Sequence, residues 1–96
     1  IDFNQQADVI CRKIRAFNPY PAMFFEYDGE RFKVLEAHKL EKFAPAGTII
    51  ENAKGLQIAC ADGALDITLI QRQGKKLMTI GELLRGFHFS LNTKVE

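Results

Sequence analysis

The sequence lacks the features that a membrane-spanning or disulfide-rich protein would need. Uncharged stretches such as Phe43–Ile50 are far shorter than the roughly 20 apolar residues that cross a bilayer, and no basic segment followed by an apolar one opens the chain as in a secretory signal. Cys11 and Cys60 are the only cysteines and show no Cys-x-x-Cys spacing, so we expect two reduced, partly buried thiols and not a disulfide. These absences predict a cytoplasmic protein without membrane contact.

Charge of one sign is not in large excess either. The chain has 13 Lys and Arg against 12 Asp and Glu, and 47% of its residues are hydrophobic. This composition is typical of a folded globular protein, and a length of 96 residues fits a single domain, residues 1–96. The first residue is not methionine and a helix follows closely, which predicts a domain of a longer chain.

Recognisable catalytic motifs are also missing. The chain contains no His-Glu-x-x-His, Gly-x-Ser-x-Gly, Gly-x-Gly-x-x-Gly or P-loop pattern. His38 and His88 are isolated, and Asp28 and Asp62 each precede a glycine, where turn geometry explains them without a metal. We therefore expect no catalytic residue, metal site or cofactor within these residues, and a binding role instead.

The N-terminal part predicts an amphipathic helix over residues 5–17. Asn4 is a suitable N-cap, and apolar residues recur at spacings of three and four, at Ala7, Ile10, Ile14 and Phe17. Asn18-Pro19 is expected to end the helix, because a residue before proline avoids helical geometry. Pro19 and Pro21 fix the backbone on both sides of Tyr20, which predicts a rigid corner. We expect Tyr20 to be a packing anchor at that corner in preference to a base-stacking platform.

From Met23 onward the pattern predicts short antiparallel strands. Asp28-Gly29 is a strong hairpin signal, and further turns are expected at Asn52–Gly55 and Asp62-Gly63. The strand over residues 64–73 should bury Leu65, Ile67 and Leu69 on one face. The predicted strands are Met23–Tyr27, Glu30–Leu40, Thr48–Glu51, Leu56–Ala61 and Ala64–Gln73.

The chain ends with a second, shorter helical signal. Thr79 and Glu82 fit a capping box, in which each side chain caps the backbone amide of the other residue. Strands of this number in so small a domain are expected to curl together, because a barrel removes exposed edges. The predicted fold is mainly β with flanking helices: a small OB-like open β-barrel, an N-terminal helix and a short C-terminal helix.

Basic residues are the most informative candidates for binding. Arg72–Lys76, with the sequence RQGKK, predicts an exposed turn that could meet phosphates, although an ordinary solvated hairpin would look the same. Arg12 and Arg15 lie three apart on the polar side of the first helix and are equally ambiguous alone. A barrel with one basic side would suit contact with a nucleic-acid backbone, without reading of the bases.

Two segments resemble the C-terminal domains of the methionyl-tRNA formyltransferase family. The opening, IDFNQQADVICRKIRAFNPYPAMF, is similar to the helix and Asn-Pro-aromatic-Pro corner of that family, with Tyr20 where tryptophan is commonest. The later segment, GALDITLIQRQGKKLMTIGELLRG, is similar to its second signature, with Gly74, Lys75, Lys76 and Met78 in the matching positions. The tail FHFSLNTKVE carries no usable signature.

The resemblance implies a division of labour within a longer enzyme. An N-terminal catalytic domain of the same chain would transfer a formyl group from 10-formyltetrahydrofolate to initiator methionyl-tRNA in translation initiation. The C-terminal OB-like barrel would help to hold the tRNA, so residues 1–96 alone are expected to be inactive, cofactor-free and monomeric. The tRNA-binding candidates are Lys75, Lys76, Arg72, Arg15 and Arg12.

Two alternatives remain open from the sequence. Related formyltransferases that act on sugar nucleotides share this barrel and would meet no tRNA. The domain could also be an orphan OB-like module that packs only against a protein partner.

Overall fold

The computed structural model describes all residues from Ile1 to Glu96. Two helices flank six strands, and neither helix is long and apolar enough to cross a membrane. The elements are α1 (Ala7–Ala16), β1 (Met23–Tyr27), β2 (Glu30–Leu40), β3 (Ile49–Glu51), β4 (Leu56–Cys60), β5 (Gly63–Arg72), β6 (Leu77–Thr79) and α2 (Ile80–Leu84).

All strand pairs are antiparallel, and the sheet runs in the order β1-β2-β5-β4-β3. The first half of β5 pairs with β4, while its second half pairs with β6 on the same side. β2 and β5 are the long central strands, and their register shifts between Val34 and Ala37. Such bulges bend a strand and increase its twist, which helps this sheet to curl.

The C-terminal segment, residues 92–96, joins the two edges of the curled sheet. Glu96 and Glu26 of β1 exchange both backbone hydrogen bonds, with N···O distances of 2.7 and 2.9 Å. The preceding residues of the segment bond to the backbones of Gly47 and Ile49 at the β3 edge, at 2.9 Å. The predicted OB-like barrel with flanking helices is therefore confirmed, and the tail without a recognisable signature completes it.

The core lies inside this curled sheet and is covered by α1. The buried residues of α1 form one hydrophobic cluster with residues of β1, β2, β4 and β5 and with Phe89 from the tail. The fully buried large side chains are Phe25, Phe32, Phe89, Ile10, Ile14, Ile49, Leu56, Ile58, Leu65, Ile67, Ile70 and Val34.

The start of α1 is capped from a distant part of the chain. The helix begins at Ala7, and Gln6 stands at the N-cap without a side-chain hydrogen bond. The backbone N–H of Ala7 donates instead to Oδ1 of Asp62, at 2.8 Å. The prediction of Asn4 as N-cap is wrong, because the acceptor comes from the β4–β5 turn.

The predicted hairpin and the capping box are both present. Asp28 and Gly29 have φ of 53° and 76°, the two positive values that a type I′ turn requires. The Glu82 N–H donates to Thr79 Oγ1 at 3.3 Å, and the Thr79 N–H donates to Glu82 Oε1 at 3.0 Å. Both signals act within a few residues, so the local sequence specifies them.

Strand β5 departs from the predicted pattern at both of its ends. The turn before it comprises Ala61 and Asp62, and Gly63 already pairs with Cys60 in the ladder. A Cβ at Gly63 would lie only 2.7 Å from the Leu40 carbonyl oxygen, so glycine allows this close approach of two strands. Further along, Ile70 is fully buried while Leu69 is not, because the register shift on β2 interrupts the alternation.

The proline corner folds as a closed loop but leaves its tyrosine outside. The Ala22 N–H donates to the Phe17 carbonyl at 2.9 Å, and Asn18 Nδ2 donates to the Leu35 carbonyl at 2.8 Å. Tyr20 is 84% exposed, so its prediction as a packing anchor is wrong. The hydrogen bonds of Asn18 and Ala22 hold the corner in place, and the Tyr20 ring contributes little to its packing.

Candidate nucleic-acid interface

A first group of basic residues lines a cleft between α1 and the end of β2. Arg12 and Arg15 stand on the exposed side of α1, and His38 and Lys39 follow the last buried residue of β2. The cleft, here called the helix cleft, encloses about 240 Å³. Its lining residues are Asp8, Cys11, Arg12, Arg15, Ala37, His38 and Lys39.

Most positive charge in the helix cleft is free of protein partners. Asp8 is the only acid in the lining, and its Oδ2 lies 3.6 Å from Lys39 Nζ. Neither Arg12 nor Arg15 has a carboxylate within 4.0 Å. Two unpaired guanidinium groups at an open cleft are suited to bidentate contact with phosphate.

A second group lines a smaller cleft on the other half of β2. Arg31 and Lys33 stand on β2 and face the end of β5. This cleft, here called the hairpin cleft, encloses about 100 Å³ and contains no hydrophobic residue. Its lining residues are Arg31, Lys33, Gln71, Arg72, Gln73 and Gly74.

Arg72 is held by a bidentate ion pair with Glu30, which does not itself line the hairpin cleft. Its Nε and Nη2 donate to the two carboxylate oxygens of Glu30, at 2.7 and 2.9 Å, and its guanidinium lies 4.6 Å from the Phe87 ring centroid. The hydrogen bond between them lowers the pKa of Glu30 and raises that of Arg72. Contact between Arg72 and tRNA stays a prediction, but the observed geometry uses two of its donors to hold the sheet.

The Glu30–Arg72 pair predicts a pH-dependent stability. Glu30→Gln should lower the free energy of unfolding by about 1 kcal/mol at pH 7, because a neutral amide replaces one partner of a partly exposed pair. Since folding depresses the pKa of Glu30, its contribution is complete above the unfolded value near 4.3 and is lost as the pH falls through the folded value. Urea unfolding from pH 7 to about pH 3 should show the difference between the two proteins shrinking with acid.

Glu26→Gln is the matched control for this variant. Glu26 is half exposed and its carboxylate lies 3.9 Å from Arg31, a weak surface contact. We expect it to change the unfolding free energy by less than about 0.5 kcal/mol. Equal effects of the two substitutions would contradict a special role for the Glu30–Arg72 pair.

Lys75 and Lys76 lie in the turn between β5 and β6, next to the hairpin cleft. The Lys75 N–H donates to the Arg72 carbonyl at 3.0 Å, and Gly74 has a φ of 76°, which favours glycine at that turn position. Gln71 Nε2 donates to the Lys75 carbonyl at 2.9 Å. The backbone is thus well held, while both lysine side chains are exposed and have no carboxylate within 4.0 Å.

The structure therefore distributes the predicted residues over two clefts along one strand. Arg12 and Arg15 share the helix cleft, whereas Arg72 lines the hairpin cleft and Lys75 and Lys76 adjoin it. With a rise of about 3.3 Å per residue, Lys33 and His38 of β2 are roughly 15 Å apart. Sequence reasoning leaves four basic or histidine residues of the linings unassigned. The spacing of two between Arg31 and Lys33 on a predicted strand could have indicated those two. These four are Arg31, Lys33, His38 and Lys39.

Side chains that could bind a metal are not grouped in this domain. No cluster of three His, Cys, Asp or Glu side chains has the arrangement of a metal site. Cys11 and Cys60 are free and buried, and burial raises the pKa of both thiols. His38 is exposed, with Nε2 3.6 Å from a Glu36 carboxylate oxygen. The basic clefts are therefore the chemically distinctive surface.

Comparison with known proteins places this arrangement in a family. The sequence profile of the family described as "Formyl transferase, C-terminal domain" matches residues 1–88. The chain belongs to this family. The matched part of this formyl transferase C-terminal domain covers α1, all six strands and α2.

Curated relatives agree with the family profile. The protein named methionyl-tRNA formyltransferase in Rhizorhabdus wittichii is 44% identical to this chain over 99% of the chain and 31% of the relative. The protein of that name in Sphingopyxis alaskensis is 45% identical over 99% of the chain and 32% of the relative. The protein of that name in a serogroup C strain of Neisseria meningitidis is 41% identical over 99% of the chain and 31% of the relative. This formyl transferase C-terminal domain thus spans about a third of the length of the relatives it matches.

Proposed function

We propose that this domain holds initiator methionyl-tRNA by its phosphates while the catalytic domain of the same enzyme formylates the methionine. The observation that carries the proposal is that Arg12 and Arg15, whose guanidinium groups have no carboxylate partner, line an open cleft of a domain from this family. Relatives with the name methionyl-tRNA formyltransferase support tRNA as the ligand. In this proposal 10-formyltetrahydrofolate is the formyl donor bound by the other domain, and the enzyme acts as a cytoplasmic monomer.

Each part of the basic surface has a separate task in this proposal. The helix cleft supplies Arg12, Arg15 and Lys39 to one stretch of backbone, and Lys75 and Lys76 supply point charges to another. Contacts to phosphates fix the orientation of a nucleic acid without reading its sequence. Two separate anchoring points would hold a folded RNA in one orientation relative to the catalytic domain.

The salt dependence of tRNA binding tests the proposal. The double variant Arg12→Ala/Arg15→Ala and the double variant Lys75→Ala/Lys76→Ala should each bind initiator tRNA more weakly. Each phosphate contact contributes about 0.7 to 0.9 to the slope of log K against log salt, so each pair should reduce the slope by roughly 1.5. Binding by the full-length enzyme, measured between about 50 and 200 mM salt, gives both quantities.

Lys54→Ala provides the control, because Lys54 is an exposed lysine of the β3–β4 turn that lines neither cleft. The Lys54→Ala enzyme should bind initiator tRNA with the wild-type affinity and the wild-type slope of log K against log salt. Unchanged slopes in both double variants would exclude these residues from the RNA interface. Formyl transfer by residues 1–96 alone would contradict the assignment of the chemistry to another domain.

A further inference from the structure

Tyr20 is the most exposed large hydrophobic side chain of the domain, yet its backbone is firmly held. Its ring is 84% exposed, compared with 75% for Phe43 and less than half for Leu91 and Leu77. Pro19 and Pro21 restrict φ on both sides, and the Ala22 N–H closes the loop on the Phe17 carbonyl at 2.9 Å. Covering an aromatic ring on a fixed backbone requires little ordering of the backbone.

The corner that carries Tyr20 is attached between the two basic clefts. Asn18 Nδ2 donates to the carbonyl of Leu35, at 2.8 Å. Along β2, Leu35 follows Lys33 of the hairpin cleft and precedes the β2 residues of the helix cleft. Arg15 of the helix cleft lies in the last turn of the helix from which the corner emerges. The corner therefore joins β2 between the two clefts and follows Arg15 along the chain, with the Tyr20 ring exposed to solvent.

We propose that Tyr20 is a stacking platform for an unpaired base of the RNA whose phosphates contact the helix cleft and the Lys75–Lys76 turn. This inference rests on the proposed function and adds a second kind of contact to it. A basic track with an exposed aromatic ring is the arrangement by which proteins bind unpaired nucleotides, because every base has a π-face. Phosphate contacts alone do not distinguish a paired from an unpaired strand, whereas stacking on Tyr20 requires an accessible base.

The absence of tryptophan from the chain makes a direct optical test possible. Tyr20→Trp introduces a single indole at the corner, and Phe43→Trp introduces a single indole at an exposed site that lines neither cleft. Each variant of the 96-residue chain is titrated with an initiator tRNA transcript and with a blunt RNA duplex of equal phosphate number. We expect tRNA to quench the fluorescence of Tyr20→Trp strongly and that of Phe43→Trp weakly, and the duplex to quench neither.

Affinity measurements on the full-length enzyme complete the test. Tyr20→Ala should bind the tRNA about tenfold more weakly with an unchanged salt slope, since stacking is lost and phosphate contacts remain. Tyr20→Phe keeps the ring and should bind like the wild type. Because the side chain is exposed, circular dichroism of all variants should match the wild type.

The possible contrary results separate this inference from the proposed function. Wild-type affinity in Tyr20→Ala, together with unquenched fluorescence of Tyr20→Trp, would overturn stacking, while the salt-dependent binding still supported the tRNA-holding role. Absence of RNA binding in the wild type would overturn both. Quenching of Tyr20→Trp in the 96-residue chain, together with wild-type affinity of Tyr20→Ala in the full-length enzyme, would mean that another domain covers the ring, which also overturns stacking.

Discussion

Phe89→Ala is expected to lower the free energy of unfolding by about 3 to 5 kcal/mol, the range for removing a buried phenylalanine ring. Phe89 is fully buried, and its ring centroid lies 4.8 to 5.3 Å from those of Phe87, Tyr27 and Phe32. The substitution would leave a cavity where the tail meets the barrel, since these neighbours are fixed on strands or packed against one another. Urea unfolding followed by circular dichroism measures the change.

Phe43→Ala controls for the loss of an aromatic ring as such. Phe43 is 75% exposed in the β2–β3 connection, so its removal should change the stability by less than about 0.5 kcal/mol. A Phe89→Ala protein as stable as Phe43→Ala would contradict the packing of the tail against the core.

Removal of residues 92–96 is expected to destabilise the domain by about 5 kcal/mol and to make it associate. The segment makes five backbone hydrogen bonds to β1, Gly47 and Ile49, each worth about 1 kcal/mol net, and it also buries Val95. Its loss leaves two strand edges unpaired, and exposed edges pair with other chains. Urea unfolding and sedimentation velocity at several protein concentrations measure the two effects.

Glu96→Ala is the matched control for the truncation. It removes an exposed side chain while keeping the backbone pair with Glu26. We expect wild-type stability and a monodisperse protein. A truncated chain that unfolds at the wild-type urea concentration would contradict closure of the barrel by this segment.

The parts of the fold that could be predicted are those decided by neighbouring residues. Asp28-Gly29 forces its own turn through two positive φ values, and Thr79 with Glu82 caps its own helix. The cap of α1 escaped prediction because its acceptor, Asp62, lies 55 residues from Ala7. The pairing of the tail could not be predicted for the same reason, since its hydrogen-bond partners lie in and beside the distant strands β1 and β3.

The candidate site shows the same division. The common helix face of Arg12 and Arg15 follows from their spacing of three. The position of Lys39 in the same cleft depends on how α1 packs against β2. The ion pair of Arg72 with Glu30 depends on strand pairing and gives Arg72 a structural task that its basic sequence context does not reveal. The flanking prolines of Tyr20 indicate an ordered backbone, but order of the backbone does not require burial of the side chain.

The pairing of Glu96 with Glu26 also has a consequence for the time course of folding. The Tyr27–Glu30 hairpin and α1 form from neighbouring residues, whereas this pair joins two residues that are far apart in the sequence. Loop-closure entropy must be overcome before such a distant contact contributes, so we infer that it forms after the local elements. A nearly folded chain would then pass through a stage in which the core is assembled while the edges of β1 and β3 are not yet hydrogen-bonded to residues 92–96.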